Sequence, residues 1–229
     1  MNLIHKLNEY IHKKEEEAWI PKTHKELDAL AYKFFKFHGE GLYNICFESI
    51  DTDFVSTMIS LISGKYSHGF TVYYCENIRA KLMDDEWHRL KLKYYTYYGN
   101  TEDSDTKLGK IKILVLAGTD SNGMNYFDYS AYQKRKQVIM KPLLTAAQAS
   151  SILHSYLTID TMNAPYDYMG LVFWWFNRLF DDERAWYCSE IMYDTFKQAG
   201  ILIAEKANPA PTQIVNYGDK MHTIIKKDQ

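Results

Sequence analysis

The fold turns on one stretch, "WYCSEIMYDTFKQAGI", Trp186 to Ile201. Cys188, Met192, Thr195 and Ala199 recur at helical spacing, with Ile191 and Phe196 beside them, so the stretch reads as an amphipathic helix. Lys197 lies in its last turn and Gly200 follows as a C′ stop. The helix therefore opens close to Cys188. A thiol there meets the positive end of the helix dipole and unpaired backbone N–H groups, which lower its pKa and can hold an oxyanion. The competing reading is a packed core thiol, because free cysteine is among the most buried residue types.

A thiol nucleophile needs a base, and the chain has eight histidines. His5, His12, His24 and His38 fall in the helical N-terminal segment, His154 falls mid-helix and His222 in the tail. His88 follows the acidic turn Asp84-Asp85-Glu86, but these residues lack a recognisable metal-ligand spacing. His68 differs. It stands in the strand-like "YSHGFTVYY" with a small neighbour on each side, Ser67 and Gly69. Period-2 alternation puts His68, Phe70 and Val72 on one strand face. Such a histidine is usually a core residue, yet the small flanks leave room for a group to approach its ring.

Outward from these two segments the chain reads helices, then strands, then helices. Residues 2–37 are helical in pattern: Leu3, Leu7, Tyr10 and Ile11 recur, Pro21 interrupts, and Thr23 with Glu26 has capping-box spacing before Leu27, Leu30, Ala31, Phe34 and Phe35. Strands are expected at "LYNICF", "YSHGFTVYYCE", "RLKLKYYTYY", "KIKILVLAG" and "QVIMKPL". A short helix is expected at "DFVSTMISLIS" and a longer one at 145–158. "MDDE" and "GNTEDSDTKLG" read as turns, and the tail from Glu205, with Pro209 and Pro211, as extended. This order predicts an α+β fold with an antiparallel sheet rather than alternating βαβ units. Residues 1–41 are expected to form an N-terminal helical extension and 42–229 the main domain, with a tyrosine-rich inserted hairpin around 76–110 that reads as a plain sheet extension or, alternatively, a lid or specificity element.

Composition narrows the function. A formal net charge of −2 over 229 residues argues against a broad electrostatic grip on nucleic acid. Three widely spaced cysteines, with no CxxC pair, argue against a zinc knuckle or dithiol motif and fit a reducing compartment. No metal or other cofactor is called for. The first residues lack an apolar h-region, and the longest apolar run, "YMGLVFWWF" at 168–176, is too short to span a bilayer. The expected location is cytoplasmic or virion-associated.

Five ordered segments carry a family resemblance: "SGKYSHGFTVYY", "NGMNYFDYSAYQKRKQVIMKPL", "NAPYDYMG", "AWYCSEIMYDTFKQAGI" and "NPAPTQI". Together they resemble the YiiX-type permuted papain-like amidases of the NlpC-type cysteine hydrolase superfamily, over roughly residues 42–213. The resemblance implies a circularly permuted papain-like fold, an antiparallel sheet packed against the nucleophile helix. It implies Cys188 as nucleophile, His68 as base, Tyr187 and Ser189 at the oxyanion pocket, and Tyr66, Tyr166 and Asp167 along a substrate groove.

The third catalytic residue departs from the family pattern. Relatives place a glutamate on the strand after the histidine strand, whereas Leu116 and Ala117 stand at that point here. Asp120, at the end of the same strand, is the candidate in its place, with Thr119 beside it. Glu76, eight residues from His68, lies roughly 26 Å along an extended chain and does not replace it. The resemblance thus implies a thiol hydrolase acting on an amide of a peptide or cell-wall peptide. An acyltransferase or thioesterase acting on lipid is the first alternative, and a catalytically weakened binding or structural protein the second.

Overall fold

The structure is a computed structural model that describes residues 24–48, 64–98, 102–116, 118–120, 123–125, 129, 136–161, 188–205, 207 and 209–227. Helix α1 (His24–His38) leads into β1 (Gly41–Glu48) and β2 (Tyr66–Tyr74). Helices α2 (Asp84–Tyr98) and α3 (Glu102–Gly109) follow, then β3 (Ile113–Leu116) and the short strands β4 (Gly118–Asp120) and β5 (Gly123–Asn125). Strand β6 (Gln137–Pro142), α4 (Ala146–Thr161), α5 (Cys188–Gln198), α6 (Pro211–Met221) and β7 (His222–Lys227) complete the order. The fold is α+β. Five strands pair antiparallel in the order β3-β2-β1-β6-β7, and β4 and β5 form a separate two-stranded hairpin.

Helices cover both faces of the sheet, and the strands read accordingly. In β1, Leu42 to Phe47 are all buried, so the strand is a continuous apolar run interrupted only by Asn44. Tyr43, Ile45 and Phe47 join Phe70, Val72, Val115 and Ile139 against Ala31 and Phe35 of α1. Leu42 and Cys46 join Val138 and Met140 against Ile152 and Tyr156 of α4, Ile191, Met192 and Phe196 of α5, and Ile214 of α6. The helix expected as an N-terminal extension is, over its described part, one layer of the core.

Two expectations about local structure are corrected. "RLKLKYYTYY" is helical, within α2, because its burial follows a helical stripe: Leu90 and Tyr94 are buried four apart, while Leu92, which a strand would place on their face, is 53% exposed. "MDDE" and His88 belong to the start of the same helix. Asp84, Asp85 and Glu86 favour its N-terminus, and Glu86 Oε2 accepts the Met83 N–H at 2.8 Å. "TEDSDTKLG" likewise forms most of α3 rather than a turn. The described residues of 76–110 therefore carry two helices, not a β-hairpin.

The tail is extended only in its last strand, β7, and a helix precedes it. Pro211 occupies the first position of α6, where its missing N–H costs nothing, and Gln213 Oε1 accepts the Ala210 N–H at 3.0 Å. Strand β7 then closes the sheet beside β6. The helices expected at 2–22 and at "DFVSTMISLIS", and the "YMGLVFWWF" run, lie outside the described residues. Among the described residues, no helix is long and apolar enough to cross a membrane.

Candidate active site

Helix α5 begins at Cys188 and ends as its sequence predicts. Gly200 has φ of 76°, its N–H bonds to Lys197 O at 2.9 Å, and the Ile201 N–H bonds back to Phe196 O at 2.9 Å. That pair of bonds is a Schellman stop, with Phe196 and Ile201 both in the core. The first six residues, Cys188 to Tyr193, are all buried. A helix buried on nearly every side is a central element, here between β2 and α4.

The start of α5 meets β2 at Gly69, the residue after His68. A Cβ placed on Gly69 would stand 3.2 Å from Met192 Sδ, 3.2 Å from Ile45 O and 3.3 Å from Cys46 Sγ. The absent side chain is what lets helix and strand approach. The Cys188 sulfur is only 1% exposed as part of its residue, and burial pushes its pKa up. Opposing that, the backbone N–H groups of Gly69, Ser189 and Cys188 itself favour the thiolate, as does the Ser189 hydroxyl. Burial wins, and the resting form is the thiol. Cys46, across the strand pair from Gly69, is pushed up by burial and then by Cys188.

His68 is half-buried on β2, with its ring 6.1 Å from Phe47 and 5.8 Å from Phe70 between centroids. As expected, it shares its face with Phe70 and Val72. The pairing slips just before it: Phe47 faces His68 but Glu48 faces Tyr66, leaving Ser67 as the extra residue of a β-bulge. Gly69 therefore looks toward α5, and the His68 ring leans toward the α1 side. On its other edge β2 pairs with β3 from Thr71 to Tyr74. The Ser67 and Ser189 hydroxyls are buried without a full hydrogen bond to the described residues.

The remaining candidates distribute unevenly. Asp120 ends β4, which approaches β2. Leu116 is buried opposite Thr71, so that position on β3 carries no carboxylate. Tyr66 is buried, its N–H donating to Thr212 Oγ1 of α6 at 3.0 Å. Tyr166, Asp167 and Tyr187 lie outside the described residues. Glu76 is committed elsewhere: it accepts from Tyr74 at 2.6 Å, from Tyr32 at 2.9 Å and from Lys112. Among the described residues, no group of three or more His, Cys, Asp or Glu side chains could hold a metal ion.

Two features of the site escape residue-by-residue reading. One is the Gly69 amide, since a backbone donor has no residue-type signature. The other is a buried polar chain behind the thiol. Thr71 Oγ1 donates to Asn44 Oδ1 at 2.8 Å and meets the Tyr156 hydroxyl at 2.7 Å. Beside Tyr156, Thr195 of α5 donates to Ile191 O at 2.8 Å. The group brings β1, β2, α4 and α5 together two helical turns from Cys188. A polar Asn44 inside "LYNICF" was its one visible sign.

Compared with protein-family models, with curated proteins and with solved structures, the chain matches none.

Proposed function

We propose that the chain is a thiol hydrolase that cleaves an amide, on a circularly permuted papain-like scaffold, with Cys188 as nucleophile and His68 as its base. The observation that carries the reading is the placement of Cys188 at the first position of α5, its sulfur facing the N–H of the residue next to His68. Because the resting group is a thiol, the imidazole takes its proton as sulfur attacks the acyl carbon. The carbonyl π pair moves to oxygen, where the N–H groups at the start of α5 receive the negative charge. Collapse of that intermediate breaks the C–N bond, and the imidazolium protonates the leaving amine. Water, deprotonated by His68, then attacks the thioester and releases the acid and the free thiol. Asp120 is the residue assigned to orient the imidazole.

The test is covalent capture. An electrophilic acyl-amide probe should label the native chain at Cys188 and leave Cys188→Ala and His68→Ala unlabelled. Preferential labelling by a lipid-ester probe would move the substrate to the lipid acyl class. A second reading, a binding protein that keeps the thiol as core, is favoured by the burial of Cys188 and by the lean of His68 toward Phe47 and Phe70. Iodoacetamide separates the two: His68→Ala should slow Cys188 alkylation at neutral pH where the imidazole serves the thiol, and an unchanged rate is that of a packed core thiol.

A further inference from the structure

We infer that Gly69 is the positioning residue for Cys188: its backbone N–H holds the sulfur against β2, and its missing side chain sets how closely α5 packs. The inference deepens the thiol-hydrolase reading and rests on it for the purpose of the held sulfur. The geometry has two parts. First, the Gly69 N–H comes from the strand, while the other two backbone donors to the sulfur, those of Cys188 and Ser189, come from the helix. Gly69 is thus the one backbone donor that links the two elements through the reacting atom. Second, the space where a Gly69 side chain would stand is already taken by Met192 Sδ, Ile45 O and Cys46 Sγ, at 3.2–3.3 Å. Ile45 O is backbone within the β1–β2 pair and cannot yield without moving the strand. An added methyl therefore needs a shift of a few tenths of an ångström, which with Ile45 O fixed falls on the α5 side, at Met192, and loosens the packing that holds the sulfur at the Gly69 amide.

The same strand position also carries the base. His68 and Gly69 are adjacent, so a fixed sulfur–amide distance fixes where sulfur lies along the strand that presents the imidazole. This is a positioning role, exerted through Cys188 and not on a substrate.

The experiment uses the full chain, labelled with ¹⁵N. The Gly69 amide resonance should follow the Cys188 titration, keep that inflection in Cys46→Ala, and lose it in Cys188→Ala. A Gly69 resonance that stays still through the Cys188 titration overturns the inference, and this measurement needs no folded Gly69 variant. In Gly69→Ala, Cys188 alkylation on the rising limb of its pH profile should fall roughly three- to tenfold, the share of one weakened hydrogen bond of ordinary strength. Gly109→Ala, at the end of α3 with nothing within 4 Å of the added Cβ, should keep the native profile. A folded Gly69→Ala with the native profile also overturns it. If no acyl probe reacts while Gly69 still titrates with Cys188, the hydrolase reading fails and the placement stands. Probe labelling with a silent Gly69 fails the placement alone.

Discussion

Thr71 on β2 and Tyr156 on α4 meet hydroxyl to hydroxyl at 2.7 Å in the core, both fully buried. Thr71 gives its own proton to Asn44 Oδ1, so the Tyr156 hydroxyl is the donor to Thr71. Removing the Tyr156 hydroxyl withdraws the donor from the buried Thr71 oxygen. Tyr156→Phe should therefore destabilise the chain by about 1–3 kcal/mol, read as a lower urea midpoint at unchanged slope. Thr71→Val combined with Tyr156→Phe should cost less than the sum of the singles, since the two groups share one interaction. Strict additivity would show that the hydroxyls are energetically independent.

The status of α1 is testable by a contrast within one helix. Phe35 is fully buried against Tyr43, Tyr74 and Tyr129, with ring centroids 4.9, 6.0 and 5.4 Å away. Phe37, two residues on, is 85% exposed. Phe35→Ala should cost about 3–5 kcal/mol, whereas Phe37→Ala should stay within about 0.5 kcal/mol. Equal and small losses in thermal unfolding would make α1 an appendage after all.

These contrasts show which parts of the fold the sequence carries openly. Helix α5 was legible because its spacing, its Lys197 and its Gly200 stop all agree, and Gly200 does take the left-handed conformation. Strands β1, β2 and β6 were legible because burial on both faces writes a continuous apolar run. Helix α2 was hidden by its lysines, which alternate with Leu90, Leu92 and Tyr94 and imitate a strand. Only burial separates Leu90 from Leu92. Helix α6 was hidden because Pro211 suggests an extended tail, although proline is equally suited to a helix's first position. At the site, Cys188 and His68 were visible as residue types. The bulge at Ser67 and the contact at Gly69 were not, because both are backbone events fixed by pairing with β1 and packing of α5.

A second tertiary tie joins α2 to α4. Glu86 is buried, and its two oxygens serve different elements: Oε2 takes the Met83 N–H at 2.8 Å, and Oε1 lies 2.8 Å from His154 Nδ1 on α4. Glu86→Ala should therefore loosen both the start of α2 and its seat on α4, at about 1–3 kcal/mol. His154→Ala should cost less, since its side chain is half exposed and the helix cap survives. Hydrogen exchange on α2 reads the difference. Protection unchanged in Glu86→Ala would mean that α2 is held by Trp87, Leu90 and Tyr94 alone.

Acid should weaken the Glu76 cluster with a defined sign. Hydrogen bonds from Lys112, then Tyr74, then Tyr32 hold the Glu76 pKa down to about 2. In the unfolded chain a glutamate titrates near 4.3, at roughly that value. A depressed folded pKa contributes stability that is present above the unfolded value and lost as pH falls through the folded one. The native chain should exceed Glu76→Gln in stability at pH 7, and the gap should close between about pH 4.3 and pH 2. Because Glu76 is solvent-exposed, 1 M salt should narrow the gap at pH 7 as well. Parallel stability curves for the two chains across that acid range would assign the acid sensitivity to other carboxylates.

Alkali should act on the thiols. Burial raises the pKa of both Cys46 and Cys188, so the folded chain favours the neutral form. An unfolded cysteine ionises near 8.5, at about the ordinary thiol value. Below that pH both states carry the proton and the raised pKa is without effect on the slope. Above it the unfolded chain loses protons that the folded chain retains, so stability falls as pH rises until the folded thiols ionise in turn. Cys46→Ala and Cys188→Ala should each flatten the decline in unfolding free energy above about pH 8.5, at some cost in packing that is the same at every pH. The Cys188 effect should be the smaller of the two, because the Gly69, Ser189 and Cys188 N–H groups offset part of its burial, while burial and the neighbouring Cys188 act in the same direction on Cys46. Urea midpoints measured from pH 7 to pH 10 give the slopes directly. A Cys188→Ala slope equal to the native one would mean that the thiol meets enough backbone donors to titrate as it does in the unfolded chain, and the packed-thiol reading would lose its main support.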